Sequence, residues 1–172
     1  MSRCAACVSI GLLLLGACGG DEGLPGGPSS ERFELRPAGS VEGAPVGYAE
    51  YLPPGYGDGT TRPLLVFWHG VGENGDGSEA ALRRLSKLGI PRLIRDGEWP
   101  EERPFVVLMP QHDDAPDASC PAARHVDAFV DFALEQYDVD PDRIYLTGIS
   151  CGAIGVWTIW PLTTTRPSRA PC

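Results

Sequence analysis

The sequence predicts an α/β fold in which a mostly parallel sheet carries helices on both of its faces. Residues 64–68 and 105–109 are apolar throughout, as strands covered on both faces are, and residues 143–147 form a third run of this type. Helical patterns separate these runs along the chain. Strands that alternate with helices are typical of parallel sheets, and the length of 172 residues allows a single domain.

Two shorter runs, residues 33–36 and 46–52, alternate between apolar and polar residues and predict strands that precede the parallel ones. The pattern from Asp76 to Glu79 resembles a capping box and predicts the start of a helix there. Leucines at 82, 85 and 88 recur at helical spacing, and Gly89 is expected to end this helix. A shorter helical turn is predicted over residues 91–95.

A longer helix is predicted before the third apolar run, with Pro121 in its first turn. Its apolar side chains recur on one side of a 3.6-residue period, at Val126, Phe129, Val130, Ala133, Leu134 and Tyr137. Residues 140–142, Asp-Pro-Asp, end it.

The N-terminal segment reads as a targeting signal followed by a tether. Arg3 gives a positive start, residues 8–15 are mostly apolar, and residues 15–18 resemble the lipobox of bacterial lipoproteins. The resemblance implies that Cys18 is lipidated after residues 1–17 are removed, which would anchor the chain to a membrane outside the cytoplasm. An ordinary secretory signal cleaved nearby is the alternative. Residues 18–30 are rich in Gly, Pro, Ser and acid and predict a flexible tether.

Charge and cysteine content limit the classes of partner. The chain has 14 basic and 23 acidic residues and a net charge of −9, which argues against nucleic acid and anionic headgroups as partners. The Cys-x-x-Cys pair at residues 4–7 lies in the segment to be removed. With Cys18 acylated, the remaining cysteines allow at most one internal disulfide. A Cys120–Cys151 bond is one option, provided that their Cα atoms lie within about 7 Å.

Residues 148–152 spell G-x-S-x-G directly after the third apolar run. This pattern indicates a nucleophile elbow, a tight strand-to-helix turn that exposes a serine hydroxyl above the sheet. The glycines allow the turn because they bring no Cβ atom into it. Ser150 is therefore the candidate nucleophile.

A second loop, residues 69–72, follows the strand predicted over residues 64–68 and should reach the same edge of the sheet. Acyl transfer passes through a tetrahedral oxyanion that needs aligned donors, and losing one donor typically costs ~3 kcal/mol. The expected donors are the backbone N–H groups of Val71 and Cys151.

Four segments, residues 51–56, 68–76, 110–112 and 139–152, resemble serine esterases of the α/β-hydrolase superfamily. The nearest groups are the polyhydroxyalkanoate-depolymerase-like and the phospholipase/carboxylesterase-like secreted enzymes. The resemblance covers about residues 33–157, the N-terminal part of that fold. It implies Ser150 as nucleophile, Val71 and Cys151 as oxyanion donors, a carboxylic ester as substrate, an acyl-serine intermediate, and neither a metal nor an organic cofactor.

The departure from that family lies in the catalytic triad. In the family the acid and the histidine follow the serine, and the sequence after Ser150 contains no Asp, Glu or His. The three histidines present are expected elsewhere: His69 to shape its loop, His112 to be structural or solvated, and His125 to face solvent. None fits the role of general base.

The expected organisation is therefore a partial hydrolase domain over residues 31–157, followed by an aberrant or frameshifted tail over residues 158–172. The acids all lie at or before Asp142, so the segment after it has a net positive charge. We expect an N-terminal piece of a C-terminally truncated, membrane-anchored serine esterase without efficient turnover. The alternatives are a non-catalytic, lipid-tethered binding module on a hydrolase scaffold, or an unrelated fold with a chance elbow pattern. In the first reading, the strand over residues 143–147 would form an open edge.

Overall fold

A five-stranded mixed sheet organises the computed structural model, which describes residues 29–113 and 120–163. The strands are β1 (Phe33–Arg36), β2 (Tyr48–Tyr51), β3 (Arg62–Trp68), β4 (Val106–Pro110) and β5 (Val139–Gly148). They lie in the order β1-β2-β4-β3-β5. β3 runs parallel to both β4 and β5, and β2 runs antiparallel to β1 and β4. The predicted α/β fold class is confirmed, with an antiparallel pair at its beginning.

Helices cover both faces of this sheet. The α-helices are α1 (Glu79–Leu82), α2 (Gly89–Arg95), α3 (Ala123–Gln136) and α4 (Cys151–Thr163). Single 3₁₀ turns span Ser30–Arg32, Val71–Glu73 and Leu85–Lys87. Among the residues that the structure describes, no helix has both the length and the apolar character needed to cross a membrane.

Alternating side chains of the strands feed two apolar cores. The larger core joins the sheet to α3 and α4 and includes Leu64, Val66, Trp68, Leu108, Val126, Phe129 and Ile159. The smaller core joins the other face to α1 and α2 and includes Ala49, Tyr51, Phe67, Val107, Met109, Leu82 and Ile94. Because β3 and β4 are buried on both faces, they match the continuous apolar runs seen in the sequence.

The first helical segment differs from its prediction. The side chain of Ser78, and not that of Asp76, caps α1 by accepting the N–H of Ala81 at 3.3 Å. The Asp76 carboxylate instead accepts the N–H of Ser78 at 3.0 Å and closes the turn before the helix. The helix then ends at Leu82 and resumes as a 3₁₀ turn, so that the leucine spacing spans two short pieces.

Gly89 begins α2, whereas the sequence predicted that it would end a helix. Its φ is +61°, and a Cβ atom there would lie 2.6 Å from the ring of Phe67. A close contact with β3 therefore requires glycine at this position, and local sequence cannot show that contact. The predicted turn over residues 91–95 is part of the same helix.

The last two elements extend beyond their predicted bounds. α4 runs to Thr163 and includes Pro161, which was expected to interrupt it. A proline removes the helical hydrogen bond that its own nitrogen would donate, and its ring crowds the carbonyl group four residues earlier, so a helix that continues past it does so at a cost. Residues 158–163 of the predicted tail are thus helical, and the rest of that tail lies outside the described residues.

β5 is an edge strand of the sheet that the described residues form, as expected.

A buried polar cluster ties the first two strands to the end of α3. Glu50 lies in β2 and is 4% exposed. One carboxylate oxygen accepts from the Arg36 guanidinium at 2.7 Å, and the other accepts from the hydroxyl of Tyr137. The hydroxyl groups of Tyr137 and Tyr48 lie 2.7 Å apart. Burial, together with the hydrogen bond to Glu50, raises the pKa of Tyr137, which therefore stays neutral.

We expect Tyr137→Phe to lower the free energy of unfolding by about 1–3 kcal/mol, because it leaves a buried carboxylate oxygen without its donor. Tyr145→Phe is the matched control, since Tyr145 is half exposed. Denaturant titration followed by circular dichroism measures both variants. Equal unfolding midpoints for the two would contradict a stabilising role of the cluster.

Candidate active site

Ser150 lies in the tight turn between β5 and α4, and it is exposed. Its φ is +49°, and it is the single non-glycine residue with a positive φ in the part of the chain that the structure describes. Such a conformation costs a non-glycine residue about 1–3 kcal/mol and persists only where its surroundings impose it. A strained, exposed serine between a strand and a helix is the geometry of a nucleophile elbow.

Two glycines bring the turn against the end of β3. A Cβ atom on Gly152 would lie 2.2 Å from the carbonyl oxygen of Trp68 and 2.5 Å from that of His69. A Cβ atom on Gly148 would lie 2.7 Å from the same Trp68 oxygen. Side chains at either position would therefore push α4 off the sheet. These glycines hold Ser150 beside the loop that follows β3.

That loop passes close to Ser150. A Cβ atom placed on Gly70 would lie 3.5 Å from the Cβ atom of Ser150 and 3.4 Å from a carboxylate oxygen of Glu73. The N–H of Val71 is the first of a 3₁₀ turn, and the N–H of Cys151 is the first of α4. The first N–H groups of a helix have no acceptor within it. The two predicted oxyanion donors are thus first N–H groups of helical turns, one directly after Ser150 and the other directly after Gly70.

His69 fixes the loop through hydrogen bonds of its imidazole ring. It is 4% exposed, and its Nε2 atom accepts the N–H of His112 at 2.8 Å. The proton therefore resides on Nδ1, which lies 2.7 Å from the carbonyl oxygen of Gly70 and donates to it. Burial lowers the pKa of His69 and keeps the ring neutral. With both nitrogens engaged, His69 shapes the loop, as the sequence predicted.

Gln111 is the residue whose role the sequence reasoning missed. Its side chain is buried, and its Nε2 atom donates to the carbonyl oxygens of Glu73 and Ala81, each at 2.9 Å. Its Oε1 atom accepts the N–H of Gly77 at 3.0 Å. The amide thus fastens the loop to β4 and α1. The available signal was a polar residue directly after a buried strand at this edge of the sheet.

His112 and His125 meet at the same edge. The His112 side chain is buried, its Nε2 atom has no hydrogen-bond partner among the described residues, and its ring centroid lies 5.4 Å from that of His125. Burial lowers the pKa of His112. The expectation that His125 faces solvent is wrong: its half-buried ring packs on His112, and its Nδ1 atom accepts the N–H of Ala122 at 3.4 Å.

Cys120 and Cys151 form a disulfide, with their Cα atoms 4.7 Å apart. This is the pairing that the sequence left open. It connects the segment before α3 to the residue directly after Ser150. Cys18, the predicted lipidation site, lies outside the described residues, as do Cys172 and the whole predicted signal and most of the tether.

No protein-family model matches the chain, and no curated protein matches it either. Solved structures of similar fold include two esterases. One is a thermostable esterase with 23% identity and a TM-score of 0.47, over 76% of this chain and 37% of that one. The other is a thermophilic esterase of the Planctomycetes species Thermogutta terrifontis with propionate bound, with 19% identity and a TM-score of 0.41, over 73% and 44%. The chain spans less than half the length of either structure.

Gly152→Ala should destabilise the protein by about 1–3 kcal/mol, because the added methyl group collides with a fixed backbone carbonyl. Gly72→Ala is the matched control: a Cβ atom there has no neighbour within 4 Å among the described residues, and its φ is not positive. Its effect should stay within about 0.5 kcal/mol. Urea unfolding of the two variants decides the matter, and similar losses in both would refute the close contact.

The lowered pKa of His69 makes stability depend on pH in a defined direction. The unfolded chain binds a proton as the pH falls through about 6.5, whereas the folded state resists it, so stability is full above that pH and declines below it. The stability advantage of the native chain over His69→Asn should therefore shrink between pH 7 and pH 5. Denaturant titrations at both pH values test this, and an unchanged advantage would be inconsistent with a neutral His69.

Proposed function

We propose that Ser150 is the nucleophile of a serine hydrolase that acts on carboxylic esters. The observation that carries this proposal is the strained, exposed conformation of Ser150, with a φ of +49°, in contact range of the loop after β3. A non-glycine residue is held in that conformation at a cost, and strain of this kind clusters at active sites. Esterase activity is a property of the two proteins whose structures are similar in fold, and it is proposed here for this chain on the conformation of Ser150.

The proposed chemistry uses an acyl-serine intermediate. The Ser150 oxygen attacks the ester carbonyl, and a tetrahedral oxyanion forms. The alcohol then leaves with the proton that the Ser150 hydroxyl has given up. Water then attacks the acyl-serine, and the carboxylic acid is released. The N–H groups of Val71 and Cys151 stabilise the oxyanion, and the hydrogen bonds of His69 and Gln111 keep the Val71 loop in place.

Transfer of the Ser150 hydroxyl proton is the step that we expect to limit the rate in this chain. The bonds to Gly70 and His112 occupy both nitrogens of His69, and no acid or histidine follows Ser150 in the sequence. We therefore propose that the 172-residue chain reacts slowly. The oxyanion hole and substrate binding alone support about 10³–10⁴-fold acceleration over water in other serine hydrolases that lack their triad.

The surroundings of Ser150 favour an apolar group on the substrate. Val71 is 54% exposed in the candidate oxyanion loop. Ile154 is 59% exposed one helical turn after Ser150, to whose carbonyl oxygen its N–H donates at 3.1 Å. Exposed aliphatic side chains beside a reactive hydroxyl suit an apolar acyl or alcohol portion of an ester.

We further propose that the protein is a lipoprotein held on the outer side of a membrane through Cys18. The lipobox-like residues 15–18 support this location. The Cys120–Cys151 disulfide is in accord with it, because such bonds persist in oxidising compartments. A second candidate function is a non-catalytic binding module on the hydrolase scaffold, which the engagement of both His69 nitrogens favours.

Labelling with a fluorophosphonate probe separates the two functions. We expect the intact chain to form an adduct on Ser150, located by peptide mass spectrometry, and Ser150→Ala to lose it. Ser40→Ala is the matched control, because Ser40 is an exposed serine in an ordinary turn. Labelling of Ser150 should be unchanged in the Ser40→Ala variant. An adduct on Ser150 that forms no faster than on Ser40 would leave the binding module as the better description.

A further inference from the structure

We propose that Cys120 is a positioning residue for the oxyanion hole: through its disulfide it holds the backbone N–H of Cys151 in place beside Ser150. This inference rests on the proposed function. The Cα atoms of the two cysteines lie 4.7 Å apart, although their positions in the chain differ by 31. The bond thus attaches a distant segment to the one residue after the nucleophile whose amide would face the developing negative charge.

A second contact also holds the start of α4 against the segment that contains Cys120. A Cβ atom on Gly155 would lie 2.5 Å from the ring of Pro121 and 2.7 Å from its carbonyl oxygen. Pro121 follows Cys120 and is buried. The segment over residues 120–121 therefore rests on the first turns of α4 while Gly152 rests on the end of β3. The start of α4 is held between two backbones.

Side-chain packing supports α4 mainly beyond its first turn. Ile154 is 59% exposed, whereas Val156 packs against the larger core and Ile159, two turns after Gly152, is buried in it. The left-handed conformation of Ser150 needs surroundings that fix it more firmly than this. A covalent bond at the first residue of the helix supplies that constraint at the place where it is needed.

A disulfide also stabilises a folded protein by restricting its unfolded chain, so a useful test must read the oxyanion hole itself. Phenylboronic acid provides that readout: the serine oxygen adds to boron, the hydroxyl proton is released to the solvent, and the tetrahedral anion that forms resembles the oxyanion. Its affinity is measured by boron NMR. In protein labelled with ¹⁵N-cysteine, the amide proton of Cys151 reports the hydrogen bond to the adduct.

The oxidised chain is compared with the same chain after treatment with dithiothreitol. The reagent breaks the S–S bond, the two cysteines become thiols, and dithiothreitol is oxidised to its cyclic disulfide. We expect reduction to weaken boronate binding about ten-fold or more, since loss of a whole donor costs 10²–10³ in rate in other enzymes. The downfield shift of the Cys151 amide proton on boronate binding should disappear at the same time.

Variants identify the cysteine responsible. Cys120→Ser should behave like the reduced chain without any reductant and should no longer respond to dithiothreitol. Cys172→Ser is the matched control, because it leaves the Cys120–Cys151 pair intact, and it should retain the full response. Ser150→Ala should form no adduct in either redox state. Circular dichroism and a thermal melt accompany each measurement.

The outcomes separate the inference from the proposed function. Equal boronate affinity and an equal amide shift in both redox states, with the protein folded, would overturn the role of Cys120 and leave Ser150 as nucleophile. Absence of a Ser150-dependent adduct in either state would overturn both. Loss of the fold on reduction and in Cys120→Ser would also overturn the positioning role, because the disulfide would then be a general structural bond.

Discussion

The candidate site depends on one close contact, in which the first turn of α4 lies directly on the backbone at the end of β3. The N–H of Ile149 donates to the carbonyl oxygen of Trp68 at 3.1 Å, and a Cβ atom on Gly152 would lie 2.2 Å from that same oxygen. The parallel register pairs Trp68 with Gly148, so both strands end at the same level. The proposed action of Ser150 and the Val71 loop on one carbonyl group depends on this approach.

The loop across from Ser150 is held by its own first residue, His69, and by Gln111, which follows the neighbouring strand β4. His69 and Gln111 carry a set of buried hydrogen bonds that joins the backbone at Gly70, Glu73 and Gly77 to β4 and its following residues. Donors fixed before the substrate arrives need no reorganisation during the reaction, which is the main advantage of backbone amides in an oxyanion hole. The burial of these polar groups is thus compatible with the stability of the sheet, because each is paired.

The sequence predicted what depends on local pattern and missed what depends on contacts between distant residues. Apolar runs placed β3 and β4 within two residues, and G-x-S-x-G after a strand placed the elbow at Ser150. The start of α2 at Gly89 follows from its contact with Phe67, 22 residues earlier in the chain, and the bonds of Gln111 reach 30 to 38 residues back. The packing of His125 on His112 is of the same kind. No period or motif encodes such contacts.

The charges around Ser150 explain why the placement of two amides matters so much here. His69 is buried and neutral and offers no positive charge to an oxyanion. A carboxylate oxygen of Glu73 lies near Ser150. A Cβ atom placed on Gly70 would be 3.4 Å from that oxygen and 3.5 Å from the Cβ atom of Ser150. In the proposed reaction that carboxylate would oppose negative charge on the substrate, and the N–H groups of Val71 and Cys151 would have to outweigh it. Because hydrogen bonds weaken steeply with poor alignment, the proposed positioning of Cys151 by its disulfide would then act directly on this balance.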